Sequence, residues 1–362
     1  MCRGDVASHE EAPSPQAEEQ QLAATKALRK HLIEVLSADA SPETRALGAW
    51  LAEQYAQGEA YSPYFDRLQL CKGNFECFHA VSAEGRVAVE KALRPYVDEV
   101  VKQAVDSSNA SIYAMAVNVC HPVLDIAPSP SCQRISTERW TQVNPGDASP
   151  WLRLLEEAAA RHDTATANEA FYRASVAGSF RASGESLLAY AEPALASGFS
   201  DADRLQIEWD LFARPGFLGL PPMYAAAQQC SEEAIEDSNR RQTCDAFTTM
   251  LLDKSTSLIH FHIGVRMAER LHWPAEQLAA LRRERDALDA APSGLFLSEQ
   301  GCESARAVMD RARQRARLGE VATSRAAIAA SGRSVEDFAK LSEVRREEHM
   351  KTANAASAAA SD

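Results

Sequence analysis

The sequence lacks any long hydrophobic run. Its most apolar region, residues 111–127, is interrupted by Asn118, His121, Pro122 and Asp125. A helix that crosses a bilayer needs about 20 consecutive apolar residues, so we expect no transmembrane segment. The first twenty residues also lack the apolar core of a secretory signal. If the protein is exported, we expect its signal to have been removed from this chain.

Positive charge is also scarce. The 362 residues include 38 Lys and Arg against 51 Asp and Glu, which gives a net charge of −13 and a pI near 5.3. Because an acidic surface repels phosphate, we expect no nucleic-acid partner and no general attraction to an anionic membrane. The apolar fraction of 46% and the charged fraction of 25% are typical of a globular protein.

Catalytic and cofactor motifs are absent from the sequence as well. It contains no Gly-rich phosphate loop and no dinucleotide-binding fingerprint. Glu208 and Asp210 lie two residues apart, and on a helix they point too far apart to flank one glycosidic bond. For the same reason His260 and His262 cannot share one zinc ion with the nearby cysteines. We therefore predict no catalytic residue, cofactor or metal, and favour a non-enzymatic protein.

The pattern that is present is helical. Strand-like alternation is nearly absent, whereas apolar residues recur at the helical period along most of the chain. Residues 21–36, for example, carry Leu28, Leu32 and Leu36, and Ser41 precedes the next helical stretch as a cap. The sequence predicts an all-α fold, an array or bundle of antiparallel helical hairpins closed by local disulfides.

Breaks in the helical pattern predict loops at 59–65, 121–150 and 214–222. The last of these is rich in Pro and Gly and marks the expected boundary between two helical regions. We predict four segments: a flexible acidic tail over 1–20, an N-terminal helical region over 21–213, a C-terminal helical region packed on it over 214–350, and a disordered Ala/Ser-rich tail over 351–362.

Six of the eight cysteines form close pairs in sequence. The pairs are Cys71 and Cys77, Cys120 and Cys132, and Cys230 and Cys244. Local pairing of this kind favours disulfides over reduced core cysteines, although buried helices also carry reduced ones. Disulfides persist in an oxidising compartment, so the pattern points to an extracytoplasmic protein.

The third pair makes a geometric prediction. In one unbroken helix Cys230 and Cys244 would lie about 21 Å apart at 1.5 Å per residue. A disulfide needs Cα atoms within roughly 7 Å. We therefore predict a break near Asp237, Ser238 and Asn239 that turns this segment into a helical hairpin.

Two cysteines remain outside the pairs. Cys2 and Cys302 either pair with each other or stay free. Cys2 also occupies the position at which a bacterial lipoprotein carries its lipid, followed by a polar tether. A lipid anchor at Cys2 and a tail cysteine without a role are both compatible with the sequence.

One segment carries a repeat-like pattern. Its first helix would contain Trp151 and Leu154, and its second Ala167, Phe171 and Ala174. Residues 151–174 thus resemble one degenerate tetratricopeptide-type hairpin, although Leu155 and Ala158 depart from that family's pattern. A plain helical hairpin fits the same residues. The chain as a whole is similar to uncharacterised, Cys-containing helical proteins exported by Gram-negative bacteria, a resemblance that implies no particular activity.

Two functional hypotheses follow. The first is a periplasmic helical protein that binds a partner protein or an envelope component through a concave surface. The alternative is a cell-envelope hydrolase of helical fold whose carboxylates are distant in sequence. The mark of such a hydrolase would be two carboxylates about 5–10 Å apart in a cleft, one of them with a raised pKa.

Overall fold

A computed structural model of the protein describes residues 14–121, 127–181, 187–213, 223–291 and 302–359. Within these ranges the secondary structure consists of sixteen α-helices, short 3₁₀ turns and two isolated β-bridges. The predicted all-α fold is confirmed. The helices are α1 (Pro15–Ser37), α2 (Pro42–Leu70), α3 (Phe75–Ala104), α4 (Ala110–Cys120), α5 (Thr137–Val143), α6 (Ala148–Ala160), α7 (Thr164–Ser175), α8 (Leu187–Gly198), α9 (Asp201–Ala213), α10 (Tyr224–Gln229), α11 (Ser238–Lys254), α12 (Leu258–Arg270), α13 (Ala275–Ala290), α14 (Cys302–Leu318), α15 (Glu320–Ala330) and α16 (Val335–Ala359).

The chain divides into two compact units, and each unit is built from two separate stretches of the sequence. Unit 1 comprises Met1–Asn144 with Ser186–Gly219, and unit 2 comprises Pro145–Glu185 with Leu220–Asp362. This differs from the predicted division into 21–213 and 214–350, because residues 145–185 belong with the C-terminal helices.

Backbone hydrogen bonds explain why residues 145–185 join unit 2. The Phe180 amide donates to the Lys254 carbonyl, and the Thr256 amide donates to the Phe180 carbonyl. Helix α7 also packs on α11. Such pairings between segments distant in sequence leave no local signal in the sequence. The predicted loop at 214–222 lies outside the described residues.

Helix α2 is longer than the sequence predicts. The predicted loop at 59–65 is wrong, because α2 continues through that stretch with Pro63 inside it. A proline removes one backbone hydrogen bond from a helix, and α2 nevertheless continues and packs along α3. A Cβ added at the buried Gly85 of α3 would lie 3.2 Å from Tyr64 Cγ and 3.5 Å from the Tyr61 ring. The missing side chain at Gly85 therefore lets the two helices approach closely.

The ends of the described chain are more helical than predicted. Helix α1 begins at Pro15, where the Ser14 hydroxyl accepts a hydrogen bond from the Ala17 amide. Helix α16 runs to Ala359 through most of the stretch predicted to be disordered. Alanine is the strongest helix former, which accounts for this extension. The predicted loop at 121–150 also contains the helix α5.

Each unit has its own apolar core. In unit 1, helices α2, α3 and α4 pack together around the buried Trp50, whose indole N–H donates to Asn118 Oδ1 at 3.0 Å. In unit 2, α6 and α7 form a helical hairpin at the position of the predicted repeat-like segment. Its buried Phe171 meets Phe247 of α11, with ring centroids 5.2 Å apart. A tetratricopeptide ancestry of this hairpin stays a prediction.

Candidate functional site

Three disulfides close short segments of the chain. They join Cys71 to Cys77, Cys120 to Cys132 and Cys230 to Cys244, with Cα–Cα distances of 5.6, 5.4 and 5.8 Å. The predicted local disulfides are thus present in the structure. Predictions for Cys2 and for the Cys302 side chain lie outside the described part of the molecule.

The predicted break between Cys230 and Cys244 exists but is displaced toward the N-terminus. Helix α10 ends at Gln229, and α11 begins at Ser238 after a turn in which Asp237 accepts a hydrogen bond from the Arg240 amide. The N-terminal arm of this hairpin is the single short helix α10. The acid before Ser238 acts as the helix cap, a signal that the sequence carries.

The Cys71–Cys77 disulfide lies at the turn between α2 and α3. Lys72 and Gly73 both adopt left-handed backbone conformations, with φ of 43° and 82°. The Asn74 side chain then caps α3 by accepting a hydrogen bond from the Cys77 amide at 3.1 Å. A tight turn, a capped helix and a covalent link therefore fix this end of the hairpin. We call residues 65–79 the hairpin tip.

The tip and the helical segments behind it are largely exposed. All buried residues of α2 lie between 44 and 55, and beyond them its side chains are exposed or half-buried. The contact between the two helices uses Tyr61 and Tyr64 of α2 against Gly85 of α3. An ion pair between Arg67 and Glu84, at 2.8 Å, also joins them. The hairpin is therefore held together by its own inner face.

Four large apolar side chains of the tip are exposed. Relative exposures are 55% for Phe65, 74% for Leu70, 76% for Phe75 and 48% for Phe78. Together these side chains expose roughly 500 Å², taking about 200 Å² for each. Patches of this size on a monomer are often functional. The cluster surrounds the end of a hairpin, whereas the sequence-based hypothesis expected a concave surface.

The charges of the tip balance one another. Residues 65–79 contain Asp66 and Glu76 against Arg67 and Lys72. The chain as a whole carries a net charge of −13. The end of the hairpin therefore combines exposed apolar side chains with no net charge, on an acidic protein.

Glu208 and Asp210, the two acids considered for glycoside hydrolysis, both make structural contacts. Glu208 is buried and accepts a hydrogen bond from Arg204 at 3.0 Å, one turn earlier in α9. Asp210 accepts from the Tyr55 hydroxyl at 2.6 Å and from Arg29 of α1. The two acids serve separate packing contacts within unit 1.

The histidines of α12 also lie apart. His260 is fully buried and stacked on Phe180, with centroids 4.3 Å apart, and burial lowers its pKa to about 4. His262 Nε2 lies 2.9 Å from a carboxylate oxygen of Asp289. Among the described residues, no group of three or more His, Cys, Asp or Glu side chains could hold a metal ion.

Sequence reasoning missed a buried carboxyl group in unit 1. Glu53 follows an apolar run in α2, and burial raises its pKa to about 7. Its carboxylate accepts a hydrogen bond from the side-chain amide nitrogen of Gln54 at 2.7 Å. It borders a cavity of about 20 Å³, which Glu90, Arg94 and Ser129 also line. A single acid within an apolar stretch gives no signal of such a cavity.

Comparison with known proteins identifies no relative: no family model, curated protein or solved structure matches the chain. Within the described ranges, no helix is long and apolar enough to cross a membrane.

Proposed function

We propose that this protein is an extracytoplasmic helical protein that binds a partner protein or an envelope component through the α2–α3 hairpin tip. The observation that carries the proposal is the cluster of four large apolar side chains at the disulfide-closed end of the hairpin. These four side chains are exposed, so they add little to the buried core of the described chain. A partner surface that covers them accounts for their exposure.

The compartment is part of the proposal. Three disulfides indicate an oxidising environment outside the cytoplasm. We assign the protein to the periplasm of a Gram-negative cell, in agreement with the resemblance noted from the sequence. Peptide mapping of the alkylated, non-reduced protein from its host should recover all three bridges, and free thiols at those six positions would contradict the assignment.

The rigidity of the tip supports a role in binding. A disulfide across six residues restricts the ends of the turn, and the Asn74 cap fixes the first turn of α3. A surface that is ordered before binding loses less conformational freedom on association. The backbone that carries Leu70 and Phe75 is thereby restrained.

The alternative of a cell-envelope hydrolase has less support. Glu53 and Glu90 do line one cavity, and Glu53 has the raised pKa that a general acid needs. The cavity volume of about 20 Å³ accommodates a water molecule. Ligand pockets typically measure roughly 300–1,000 Å³. The cavity is therefore too small to hold a sugar substrate.

The proposed binding surface can be tested in intact host cells with a photo-crosslinking amino acid. The probe replaces Phe75 in one variant and Tyr224 in another. The two residues are matched, since Phe75 is 76% exposed and Tyr224 is 75% exposed. We expect a discrete adduct from position 75 and none from position 224.

A second variant makes this test specific. Leu70→Ser and Phe78→Ser, introduced together beside the probe at position 75, should remove the adduct without changing the amount of protein. Equal labelling from positions 75 and 224, or an adduct that survives both serines, would contradict the proposal.

A further inference from the structure

We propose that the Cys71–Cys77 disulfide is a site of thiol–disulfide exchange that takes two electrons from a dithiol of a partner polypeptide. The reaction converts two thiols of the partner into a disulfide and leaves Cys71 and Cys77 as thiols. This inference rests on the proposed function, because the partner would meet the same hairpin tip.

Cys77 is the most accessible cysteine of the three bridges. The other five paired cysteines are buried, with exposures between 0% and 9%. Cys77 is partly exposed. Exchange requires a thiolate to reach a disulfide sulfur, so access decides which bridge reacts. Exposed disulfides are in general the labile ones, whereas buried structural disulfides resist reduction. The structure therefore marks the Cys71–Cys77 bridge as the reactive one.

The surroundings of this bridge tolerate its opening. Residues 72–76, which the bridge encloses, are all exposed. Opening the bridge therefore removes no buried apolar contact of these residues. Cys230 and Cys244, in contrast, belong to a buried apolar cluster that also contains Phe247. The tip bridge can open while the cores of both units persist.

The first chemical step is attack by a partner thiolate on the Cys77 sulfur. A bond forms between the two sulfurs, the Cys71–Cys77 bond breaks, and Cys71 leaves with the electron pair. Cys71 then takes up the proton that the partner thiol has lost. The reduced Cys71 has a hydrogen-bond acceptor at hand, because its Sγ lies 3.5 Å from the Arg67 carbonyl oxygen.

The second step releases Cys77. The second thiolate of the partner attacks the partner sulfur that is bonded to Cys77, the partner disulfide forms, and Cys77 leaves as a thiolate that takes up the second proton. Cys77 is the third residue of α3, after the Asn74 cap. The positive end of the helix dipole stabilises an anion in this turn, and a stabilised thiolate leaves faster.

The apolar side chains beside the bridge indicate the kind of dithiol that reacts. Phe75 and Phe78 lie on either side of Cys77 in the sequence, and their exposures are 76% and 48%. An unfolded polypeptide segment exposes apolar side chains together with its thiols, so it can contact these rings while its thiolate reaches Cys77. We therefore expect a dithiol within an apolar, unfolded segment to be the preferred substrate.

The closing experiment mixes the purified, oxidised full chain with an excess of a reduced synthetic peptide in oxygen-free buffer. The peptide carries two cysteines flanked by Leu and Phe. We expect about one peptide disulfide per protein chain, with loss of the Cys71–Cys77 bridge and retention of the other two, read by alkylation and mass spectrometry. The double variant Cys71→Ala and Cys77→Ala should oxidise no peptide. A peptide with Ser in place of Leu and Phe should react more slowly.

Two single variants identify the attacked sulfur. Cys71→Ala and Cys77→Ala break the same bridge, so any change in the tip is common to both. Each is incubated with oxidised glutathione, a disulfide probe that forms the mixed disulfide in the reverse direction. We expect Cys77 in the first variant to acquire glutathione at least about tenfold faster than Cys71 in the second. Circular dichroism verifies that both retain the helical fold.

Several outcomes would overturn the exchange site. They are a peptide that stays reduced while the Cys71–Cys77 bridge stays intact, equal loss of all three bridges, and glutathione addition that is equal at both positions or faster at Cys71. In each of these cases a position-specific adduct at residue 75 in cells would leave the proposed function standing. Absence of both the adduct and the peptide oxidation would remove both proposals.

Discussion

Two disulfide-closed segments of this molecule use aromatic residues in opposite ways. The Cys230–Cys244 bridge lies in the core of unit 2, where both cysteines are buried beside Phe247 and Phe171. The Cys71–Cys77 bridge lies at the end of a hairpin in unit 1 and is surrounded by exposed aromatic rings. A disulfide therefore stabilises a buried core in unit 2, whereas in unit 1 a disulfide restrains the turn between two helices with exposed apolar residues.

The difference shows that a disulfide by itself does not indicate which role a segment has. In the core of unit 2, burial of apolar area supplies stability and the bridge adds to it. At the hairpin tip the apolar area is exposed, so it adds no burial energy to the fold of the described chain. Substitutions at matched aromatic positions can separate the two roles.

The largest expected difference is between Phe171→Ala and Phe75→Ala. Phe171 is fully buried, so its loss should destabilise unit 2 by about 3–5 kcal/mol through lost transfer energy and a cavity. Phe75 is 76% exposed, so its loss should change stability by less than about 0.5 kcal/mol. Urea unfolding, followed separately in each unit by pulsed hydrogen exchange and mass spectrometry, measures both. Comparable destabilisation by the two substitutions would show that Phe75 is a core residue.

A second difference concerns pH, beginning with His260 in unit 2. Burial lowers its pKa from 6.5 to about 4, so the folded state binds fewer protons than the unfolded state between these values. The stability of unit 2 should therefore fall as the pH falls from 6.5 to 4, by about 3 kcal/mol in total. His260→Leu should flatten this dependence in urea unfolding at a series of pH values. An unchanged slope in that variant would assign the dependence to other groups.

Glu53 in unit 1 should have the opposite effect. Burial raises its pKa from 4.5 to about 7, so the folded state retains a proton that the unfolded state releases. Its contribution to the stability of unit 1 is complete below pH 4.5 and is lost as the pH rises through 7, by about 3 kcal/mol. Glu53→Gln keeps the size of the side chain and should remove the dependence. If the stability of both units changed with pH in the same direction, the assignment of these effects to Glu53 and His260 would be wrong.

The smallest differences are expected from removal of the disulfides. In the chain-entropy model the loop of Cys230 and Cys244 contributes about 3 kcal/mol, and the shorter loop of Cys71 and Cys77 about 2 kcal/mol. Replacing Cys230 and Cys244 with alanine should lower the free energy of unfolding of unit 2. Replacing Cys71 and Cys77 with alanine should mainly accelerate amide exchange over residues 70–78. Global unfolding of unit 1 without the tip bridge would show that the tip is part of its core.

The sequence is informative where the controlling interactions are local. Helical periodicity predicts the all-α fold, Ser41 marks the start of α2, and the spacing of Cys71 and Cys77 around a Gly-Asn turn predicts a bridge. The Ala-rich C-terminal stretch is the exception, because its low complexity predicts disorder whereas its high helix propensity extends α16 to Ala359.

The sequence is uninformative where contacts between distant segments decide the outcome. Pro63 predicts a loop, but α2, which packs on α3, continues through it. Residues 145–185 join unit 2 through pairings with segments near residue 254. Phe75 and Phe171 both occur in helical patterns, and only the folded chain shows that one is exposed and the other buried.

We propose that a surface outside the chain covers the apolar residues of the tip. Carbene footprinting of the full-length protein, free and in contact with the envelope membranes of its host, tests this proposal. We expect labelling of Phe75 to decrease strongly on membrane contact while labelling of the equally exposed Tyr224 stays constant. Unchanged labelling of Phe75, or an equal decrease at both residues, would show that no outside surface covers the tip specifically.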